Sequence, residues 1–361
     1  MKKILFLGLA FFANLSCYGQ NNDTWYSFYN KDSELVGFKD KAGVIKIEPK
    51  FVGRSNRPIK FENIISVIEE NNGKSSSYFL TKSGKVIGQD MLYYFDHTPD
   101  CENENFIRFK DNKIDKTGLF DKNGNIAIPA IYNHLTKVQN SMLVALKGAK
   151  KTYQDEHYSY IGGKNLLIDT ENNILIEDFT FEDQINFYSL EKSKIRSADP
   201  LRKSFLAKDG SYYSFIIYKK EFEHWFNSEL LTDLTTKKLI QFSYNKIYWY
   251  DGKSSWKNPL SSDFIKKNDV VLKKRLLESQ KPKADYFISM VGLNSFLHDD
   301  QSFDAYYDNC GYSKEWQYPI MNVVINHAEG KILKQNSFGF LRAPKGYRLI
   351  EVSLQTDELV D

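Results

Sequence analysis

The residues best suited to bind a metal ion lie side by side at His298-Asp299-Asp300. Imidazole nitrogens and carboxylate oxygens are common metal ligands, but the side chains of adjacent residues diverge, and a loop or a helix end accounts for the same run. The six histidines form no His-Glu-x-x-His or His-x-x-Glu-His pair, which would place two ligands on one helical face. The sequence therefore predicts no bound metal and no cofactor.

A second candidate for chemistry is Cys310, with His327 or His298 as its base. A nucleophilic thiolate needs that base within hydrogen-bond distance, and the sequence does not place it there. We therefore expect Cys310 to be buried or disulfide-bonded. Cys101 is an available partner, but the spacing of two cysteines does not establish a bridge.

The sequence contains no Gly-x-Ser-x-Gly elbow, P-loop or dinucleotide fingerprint. This absence favours a non-catalytic binding or interaction protein. The alternative is an extracytoplasmic hydrolase or metal-dependent enzyme whose C-terminal region uses Cys310, or His298 with Asp299 and Asp300.

Aromatic residues are concentrated at Trp249-Tyr250 and Trp256. Exposed rings of this kind stack on sugars, which would make a cell-envelope carbohydrate the ligand. Packing in the core is the commoner use of aromatic residues in a β-rich chain, so we also retain a protein partner.

Composition excludes several classes of protein. The 361 residues include 49 basic and 46 acidic side chains, a net charge of +3, which is no electrostatic footprint for nucleic acid. Hydrophobic residues make up 42% of the chain and aromatic residues 15%, enough for a folded core. The length suggests about two domains.

Residues 1–19 have the pattern of a signal peptide. Lys2 and Lys3 precede an apolar run, Ile4 to Leu15, which is too short to span a bilayer, and Cys17 to Gly19 supply small residues for cleavage before Gln20. Export to the periplasm, the cell surface or the medium follows. Lipidation of Cys17 is the less favoured alternative, because Asn14 stands where a lipoprotein needs an aliphatic residue. The remaining chain has no transmembrane segment.

A strand–turn–strand pattern recurs about every 40 residues through residues 35–215, after a lead-in at 20–34. Its turn glycines Gly43, Gly84 and Gly124 lie 41 and then 40 positions apart. Asp40 and Asp121 begin two of these turns, where an Asp side chain can bond the backbone two residues on. Asn172 replaces glycine in a fourth copy, and a fifth copy ends at Gly210.

The positions around each turn predict a hairpin with one buried face. Apolar residues alternate with polar ones on the strand after the turn, at the period of a half-buried strand. We expect the following to be core residues: Phe38, Ile45, Ile47, Phe51, Phe79, Ile126, Ile128 and Tyr132. Since one unit cannot bury its own face, neighbouring units must stack.

The segment from Gly37 to Phe51, with its Gly-aromatic-x-Asp-Lys-x-Gly pattern, resembles the WG repeat (KWG type) of bacterial proteins, many of them exported. The Trp that names this repeat should precede the glycine, but Val36 and Thr117 stand before Gly37 and Gly118. The resemblance implies a binding or interaction role.

Residues 216–361 do not continue the hairpin pattern of residues 35–215. The pattern predicts a helix over 262–280, in which Ile265, Leu272 and Leu276 share a face, and strands at 323–325, 331–333 and 347–354. The predicted fold is mainly β: an array of ~40-residue hairpin repeats, solenoid- or propeller-like, followed by an α+β C-terminal region.

Overall fold

The computed structural model describes residues 24–32, 34–53, 59–95, 97–155, 157–180, 184–250, 255–329, 332–344, 346–354 and 359. The predicted signal peptide at 1–19, with Cys17, lies outside these ranges. The chain is mainly β, as predicted. Within the described residues no helix is both long enough and apolar enough to cross a membrane.

The first half of the chain is built from short strands. In chain order the first nine are β1 Trp25–Tyr29, β2 Leu35–Lys39, β3 Ile45–Val52, β4 Lys60–Phe61, β5 Ile64–Asn71, β6 Lys74–Thr81, β7 Val86–Ile87, β8 Tyr94–Phe95 and β9 Thr98–Pro99. The next nine are β10 Phe106–Asp111, β11 Lys116–Asp121, β12 Ile126–Tyr132, β13 His134–Leu135, β14 Met142–Lys147, β15 Lys150–Gln154, β16 His157–Ile161, β17 Lys164–Asp169 and β18 Ile174–Ile176.

These strands form four three-stranded antiparallel meanders, which we call units 1 to 4. Unit 1 is β1-β2-β3 and unit 2 is β5-β6-β7, and both lie in one seven-stranded sheet of order β4-β1-β2-β3-β5-β6-β7. Unit 3 is the separate sheet β10-β11-β12, and unit 4 is β14-β17-β18, in a sheet that begins with β13. Strand β1 lies in the predicted lead-in but pairs with β2, so the first unit begins earlier than the repeat pattern indicates. In unit 4 a separate hairpin, β15-β16, is inserted between the first two strands.

The turn between the second and third strands is built in the same way in every unit. In unit 1 the Gly43 amide donates to the Asp40 carbonyl, and the Asp40 amide donates to the Val44 carbonyl. The same two bonds recur in the turns that begin at Thr81, Asp121, Asp169 and Ala207. The fourth residue always has a positive φ, from +67° at Asn172 to +88° at Gly43. The turn conformation predicted from the sequence is therefore present in all five turns.

A sixth turn with these bonds lies in the C-terminal region and was not predicted. There the Gly311 amide donates to the Asp308 carbonyl, the Asp308 amide donates to the Tyr312 carbonyl, and Gly311 has a φ of +83°. The Asp308 side chain accepts the amides of Cys310 and Tyr312, as Asp121 does for Asn123 and Asn125.

Two turn glycines differ in what surrounds them, which gives a matched pair of variants. A Cβ on Gly124 would lie 2.8 Å from Ile87 and 3.1 Å from Thr81 of the preceding unit, whereas a Cβ on Gly43 would meet nothing within 4 Å. Both substitutions to Ala incur the left-handed backbone cost of about 1–2 kcal/mol. We expect Gly124→Ala to destabilise the protein more than Gly43→Ala in urea unfolding, and equal losses would show that neighbouring turns do not press on each other.

The core prediction is wrong for Ile45, because a β-bulge lies between β2 and β3. Lys39 of β2 pairs with Ile45, but its neighbour Phe38 pairs with Ile47, so β3 advances two residues where β2 advances one. Residues paired across strands share a face. Ile47 therefore faces inward with Phe38 and is half-buried, while Ile45 is 47% exposed.

The same bulge recurs in unit 3. Leu119 pairs with Ile128 and Phe120 with Ile126, so the two isoleucines lie on opposite faces. Ile128 is buried and Ile126 is 62% exposed. The remaining predicted core residues are buried: Phe38, Phe51, Phe79 and Tyr132.

Each hydrophobic core of this half is shared by two consecutive units. Phe38 of unit 1 packs with Tyr78 of unit 2, whereas Phe79, the next residue of unit 2, packs with Phe120 of unit 3. Leu119 of unit 3 joins a further core with residues of unit 4, such as those of β14 and β17. Because successive residues of a strand point to opposite faces, one meander contributes to two cores.

The fifth copy keeps the turn but not the strand order. Its strands are β19 Ile185–Ser193, β20 Arg202–Leu206 and β21 Tyr212–Ile217. Here β19 pairs with β21, which places β21 in the middle of the sheet. This sheet packs on the outer face of unit 4.

From Tyr218 onward the chain builds its own cores with helices and one mixed sheet. The helices are α1 Tyr218–Trp225, which continues as a π-helix over Phe226–Leu230, α2 Thr236–Gln241 and α3 Ser261–Leu277. The strands are β22 Ser243–Tyr250, β23 Tyr286–Val291, β24 Ile320–Glu329, β25 Ile332–Ala343 and β26 Gly346–Ser353, in the sheet order β22-β26-β25-β24-β23. The predicted helix is confirmed, and its Ile265, Leu272 and Leu276 are buried in the largest core.

Candidate ligand-binding site

Cys310 is bonded to Cys101 in the structure and is not a nucleophile there. The bridge joins the loop after Tyr307 to the chain between units 2 and 3. Lys137 strengthens this attachment, because its Nζ lies 2.8 Å from Oδ2 of the buried Asp308 carboxylate.

His298 is not part of a metal site with its neighbours. Its ring is buried between Tyr248 and Phe303, and its Nε2 lies 2.8 Å from the Glu351 carboxylate. Asp299 and Asp300 are exposed, and Asp300 accepts the Ser302 amide at the start of a 3₁₀ helix over Gln301–Tyr306. The side chain of His327, the other predicted base, lies outside what the structure describes.

The one grouping of His, Cys, Asp and Glu ligand atoms that the described residues bring close enough to hold a metal is Cys101, Asp308 and Cys310. Its atoms already have partners: the two sulfurs bond to each other, and the carboxylate binds Lys137 and two backbone amides. This group therefore holds the loop in place and is not suited to a metal ion.

The predicted aromatic cluster divides between core and surface. Trp249 is buried against Phe264 and cannot stack on a sugar. Tyr250 and Trp256 stack on each other with their ring centroids 5.5 Å apart. A sugar-binding role for Trp249 is thus wrong.

A pocket that the sequence did not reveal lies between unit 3 and the inserted β15-β16 hairpin. We call it the tyrosine pocket. It has a volume of about 180 Å³ and is lined by four tyrosines, two lysines, three further polar side chains, one histidine and one leucine: Tyr93, Tyr94, Tyr158, Tyr160, Lys110, Lys151, Asn112, Thr117, Asn133, His134 and Leu92.

Tyr93 and His134 form the floor of the tyrosine pocket and contact each other. The Tyr93 hydroxyl lies 3.0 Å from Nδ1 of His134, and the Arg108 guanidinium lies 4.2 Å from the centre of the Tyr93 ring. Burial raises the pKa of Tyr93 to about 12. Burial, with the nearby charges of Arg108 and Lys110, lowers the pKa of His134 to about 4. Both side chains are therefore neutral at pH 7.

Arg108 belongs to a buried ion pair beneath this floor. Its Nε and Nη2 donate to the two carboxylate oxygens of Asp100, at 2.9 and 2.6 Å, and its Nη1 donates to the Leu135 carbonyl. Burial alone would raise the pKa of Asp100, but Arg108 outweighs it and holds that pKa below its usual value.

The inserted β15-β16 hairpin forms one wall of the tyrosine pocket. Tyr158 of β16 is 48% exposed at the rim, and the Lys151 ammonium lies 4.0 Å from the centre of its ring. The Tyr160 hydroxyl donates to the Asn133 carbonyl and ties the hairpin to unit 3. Tyr153, which pairs directly with Tyr158 across the hairpin, is 68% exposed and does not line the pocket.

One buried polar atom in the pocket has no hydrogen-bond partner among the described residues. Thr117 is fully buried from solvent, and its Oγ1 neither donates nor accepts. A buried hydroxyl without a partner costs free energy of about 1–3 kcal/mol. Because this oxygen has almost no accessible surface, a ligand held in the pocket does not reach it without a shift of the surrounding side chains.

A second cavity, the junction cleft, lies on the other side of His134. It has a volume of about 450 Å³ and lies between unit 3, the β13–β14 link, strand β19 and the C-terminal region, with Phe95, Phe187, Met290 and Trp316 in its lining. Tyr94 and Phe95 of β8 line different cavities, since neighbouring residues of a strand point in opposite directions.

The tyrosine pocket combines four aromatic rings with the ammonium groups of Lys110 and Lys151. Its Tyr93 and Tyr160 hydroxyls and its Asn133 amide are bonded within the protein. Aromatic surface with a few polar groups is typical of pockets that bind small molecules. Comparisons of the chain with protein-family models, with curated proteins and with solved structures found no match.

Proposed function

We propose that this is an exported, non-catalytic binding protein that holds a sugar of the cell envelope in the tyrosine pocket. The observation that carries the proposal is the pocket itself: four tyrosines and three uncharged polar side chains around a cavity about the size of one sugar ring. Aromatic faces pack on the apolar face of a sugar, while hydroxyl and amide groups bond its oxygens.

We further propose that units 1 to 4 and the fifth hairpin are copies of one WG-like repeat stacked as an array. Three features support this: the shared turn hydrogen bonds, the recurring bulge and the cores shared by consecutive units. In such an array the rigid strands hold variable loops, and the β15-β16 hairpin is the longest of these in units 1 to 4.

Export is part of the proposal and rests on residues 1–19. A disulfide between residues 209 positions apart suits an oxidising compartment, where such bonds persist. Fractionation of cells that express the full chain, followed by N-terminal sequencing, tests it. A mature chain that starts near Gln20 outside the cytoplasm is expected, and an uncleaved chain in the cytoplasm would overturn it.

Titration of the purified protein with glucose and with glucuronic acid, followed by ligand-observed NMR, tests the sugar site. Tyr158→Ala removes the stacking surface and is expected to weaken binding about tenfold. Ile161→Ala is the control, because Ile161 lies on the same hairpin, is 63% exposed and does not line the pocket. If neither sugar binds, or if both variants lose the same affinity, the proposed site is wrong.

A further inference from the structure

The charges of the tyrosine pocket favour one class of sugar. Two charged side chains line it, and both are lysines, Lys110 and Lys151. The nearest carboxylate is that of Asp115, whose Oδ1 lies 2.6 Å from Nζ of Lys110 and 3.4 Å from Nζ of Lys151. One carboxylate oxygen shared by two ammonium groups leaves the group with a net charge of +1.

These two lysines are partly enclosed rather than extended into solvent. Their side chains are 14% and 20% exposed, and Lys151 is fixed over the Tyr158 ring. An enclosed charge is screened less by water and salt than one at the surface. Each ammonium carries three donors, so the contact with Asp115 does not exhaust them.

The pocket is small and its polar edge is held in place. The Asn112 side chain lies in the lining, and its Nδ2 donates to the Asp90 carbonyl. The cavity holds about six water molecules by volume. One pyranose ring with one charged substituent matches this volume.

We infer that the tyrosine pocket binds an acidic sugar, with the ring against Tyr158 and the carboxylate on the ammonium groups of Lys110 and Lys151, beside Asp115. This inference rests on the proposed sugar-binding function and adds the charge of the ligand. The neutral form of His134 agrees with it, since the positive charge of the lining then comes from the two lysines.

Three probes separate the components of this inference: glucuronic acid, glucose and inorganic phosphate, titrated at low and high salt. We expect glucuronic acid to bind about tenfold tighter than glucose at low salt, and the difference to shrink as salt is added. Equal affinities for the two sugars would overturn the acidic-sugar inference and leave the proposed function standing. Binding of phosphate but of neither sugar would identify an anion site and overturn both.

Lys151→Met keeps the aliphatic stem and removes the charge. It is expected to abolish the preference for glucuronic acid, so that the ratio of the affinities for glucuronic acid and glucose falls from about ten to about one. Lys150→Met is the matched control, since Lys150 is the preceding residue on the same strand, is exposed and lies outside the pocket lining. Loss of the preference in the control, or its retention in Lys151→Met, would contradict the inference.

Discussion

Replacing Cys101 or Cys310 with serine is expected to lower the free energy of unfolding by about 5 kcal/mol. The bridge closes a loop between residues 209 positions apart, and in the chain-entropy model the stabilisation grows with the logarithm of loop length. The measurement is urea unfolding of the oxidised protein and its variants. Hydrogen exchange should also rise in 308–317, because the bridge holds that loop on units 2 and 3.

The two single variants and the double variant together test the bond itself. Each single substitution already breaks the bridge, so Cys101→Ser, Cys310→Ser and the double variant should lose about the same stability. Losses that add in the double variant would mean that the cysteines are not bonded. The intact mass of the oxidised chain gives an independent check, since a bridge removes two hydrogen atoms.

Arg108→Met is expected to destabilise the protein by about 3–5 kcal/mol. The change leaves the buried Asp100 carboxylate without the guanidinium that now donates two bonds to its oxygens. Removing one partner of a buried ion pair costs more than the pair contributes, because the remaining charge stays desolvated. Urea unfolding at pH 7 measures this loss.

The double variant Asp100→Leu with Arg108→Met is the control. It removes both charges and should regain much of the lost stability. If it is no more stable than Arg108→Met alone, the loss comes from packing or from the Leu135 carbonyl, which Arg108 also binds.

The pH dependence of Arg108→Met has a defined sign. In the native protein the pKa of Asp100 is held below its usual value, so this group stabilises the fold above the unfolded pKa, and that stability is lost as the pH falls through the folded pKa. Without Arg108, burial dominates and raises the folded pKa. The gap in stability between the two proteins should therefore narrow between pH 7 and pH 4, and a constant gap would contradict this account.

Local rules predicted the turns but not the faces of the strands that follow them. A turn depends on residues within five positions, so the spacing of Asp40 and Gly43 was enough to place it. The bulge depends on how β3 pairs with β2, which is a contact between strands. Simple alternation therefore assigned Ile45 and Ile126 to the core, and the bulge turns both outward.

The tyrosine pocket escaped prediction because its parts come from separate units. Tyr93, Lys110 and Tyr160 are brought together by stacking, which no window of sequence contains. Two signals were nevertheless present. The spacing from Gly124 to Asn172 is 48 rather than 40, and the β15-β16 hairpin accounts for the excess. Thr117 stands where the resembled repeat carries a tryptophan, and this smaller side chain borders the pocket.

The disulfide illustrates the same limit at longer range. Sequence offered Cys101 and Cys310 as partners but could not bring together residues so far apart. In the structure the turn at Asp308 brings the two cysteines together, because the Asp308 carboxylate pairs with Lys137 in the link between β13 and β14. That turn has the Asp-x-x-Gly pattern at 308–311, and the same pattern marks the turns at Asp40 and Asp121 in the first half of the chain.

The link between the first two strands of a unit varies in length from unit to unit. The hydrophobic cores on either side are nevertheless each shared by two consecutive units. The link is two residues in unit 2 (72–73), four in unit 3 (112–115) and sixteen in unit 4 (148–163). Both ends of this link leave adjacent, paired strands, so a longer insertion closes on itself and adds little entropic cost. On the proposed function, exchanging the hairpin of unit 4 would change which ligand the pocket selects, and the short links of units 2 and 3 are positions where a hairpin of similar length could be inserted.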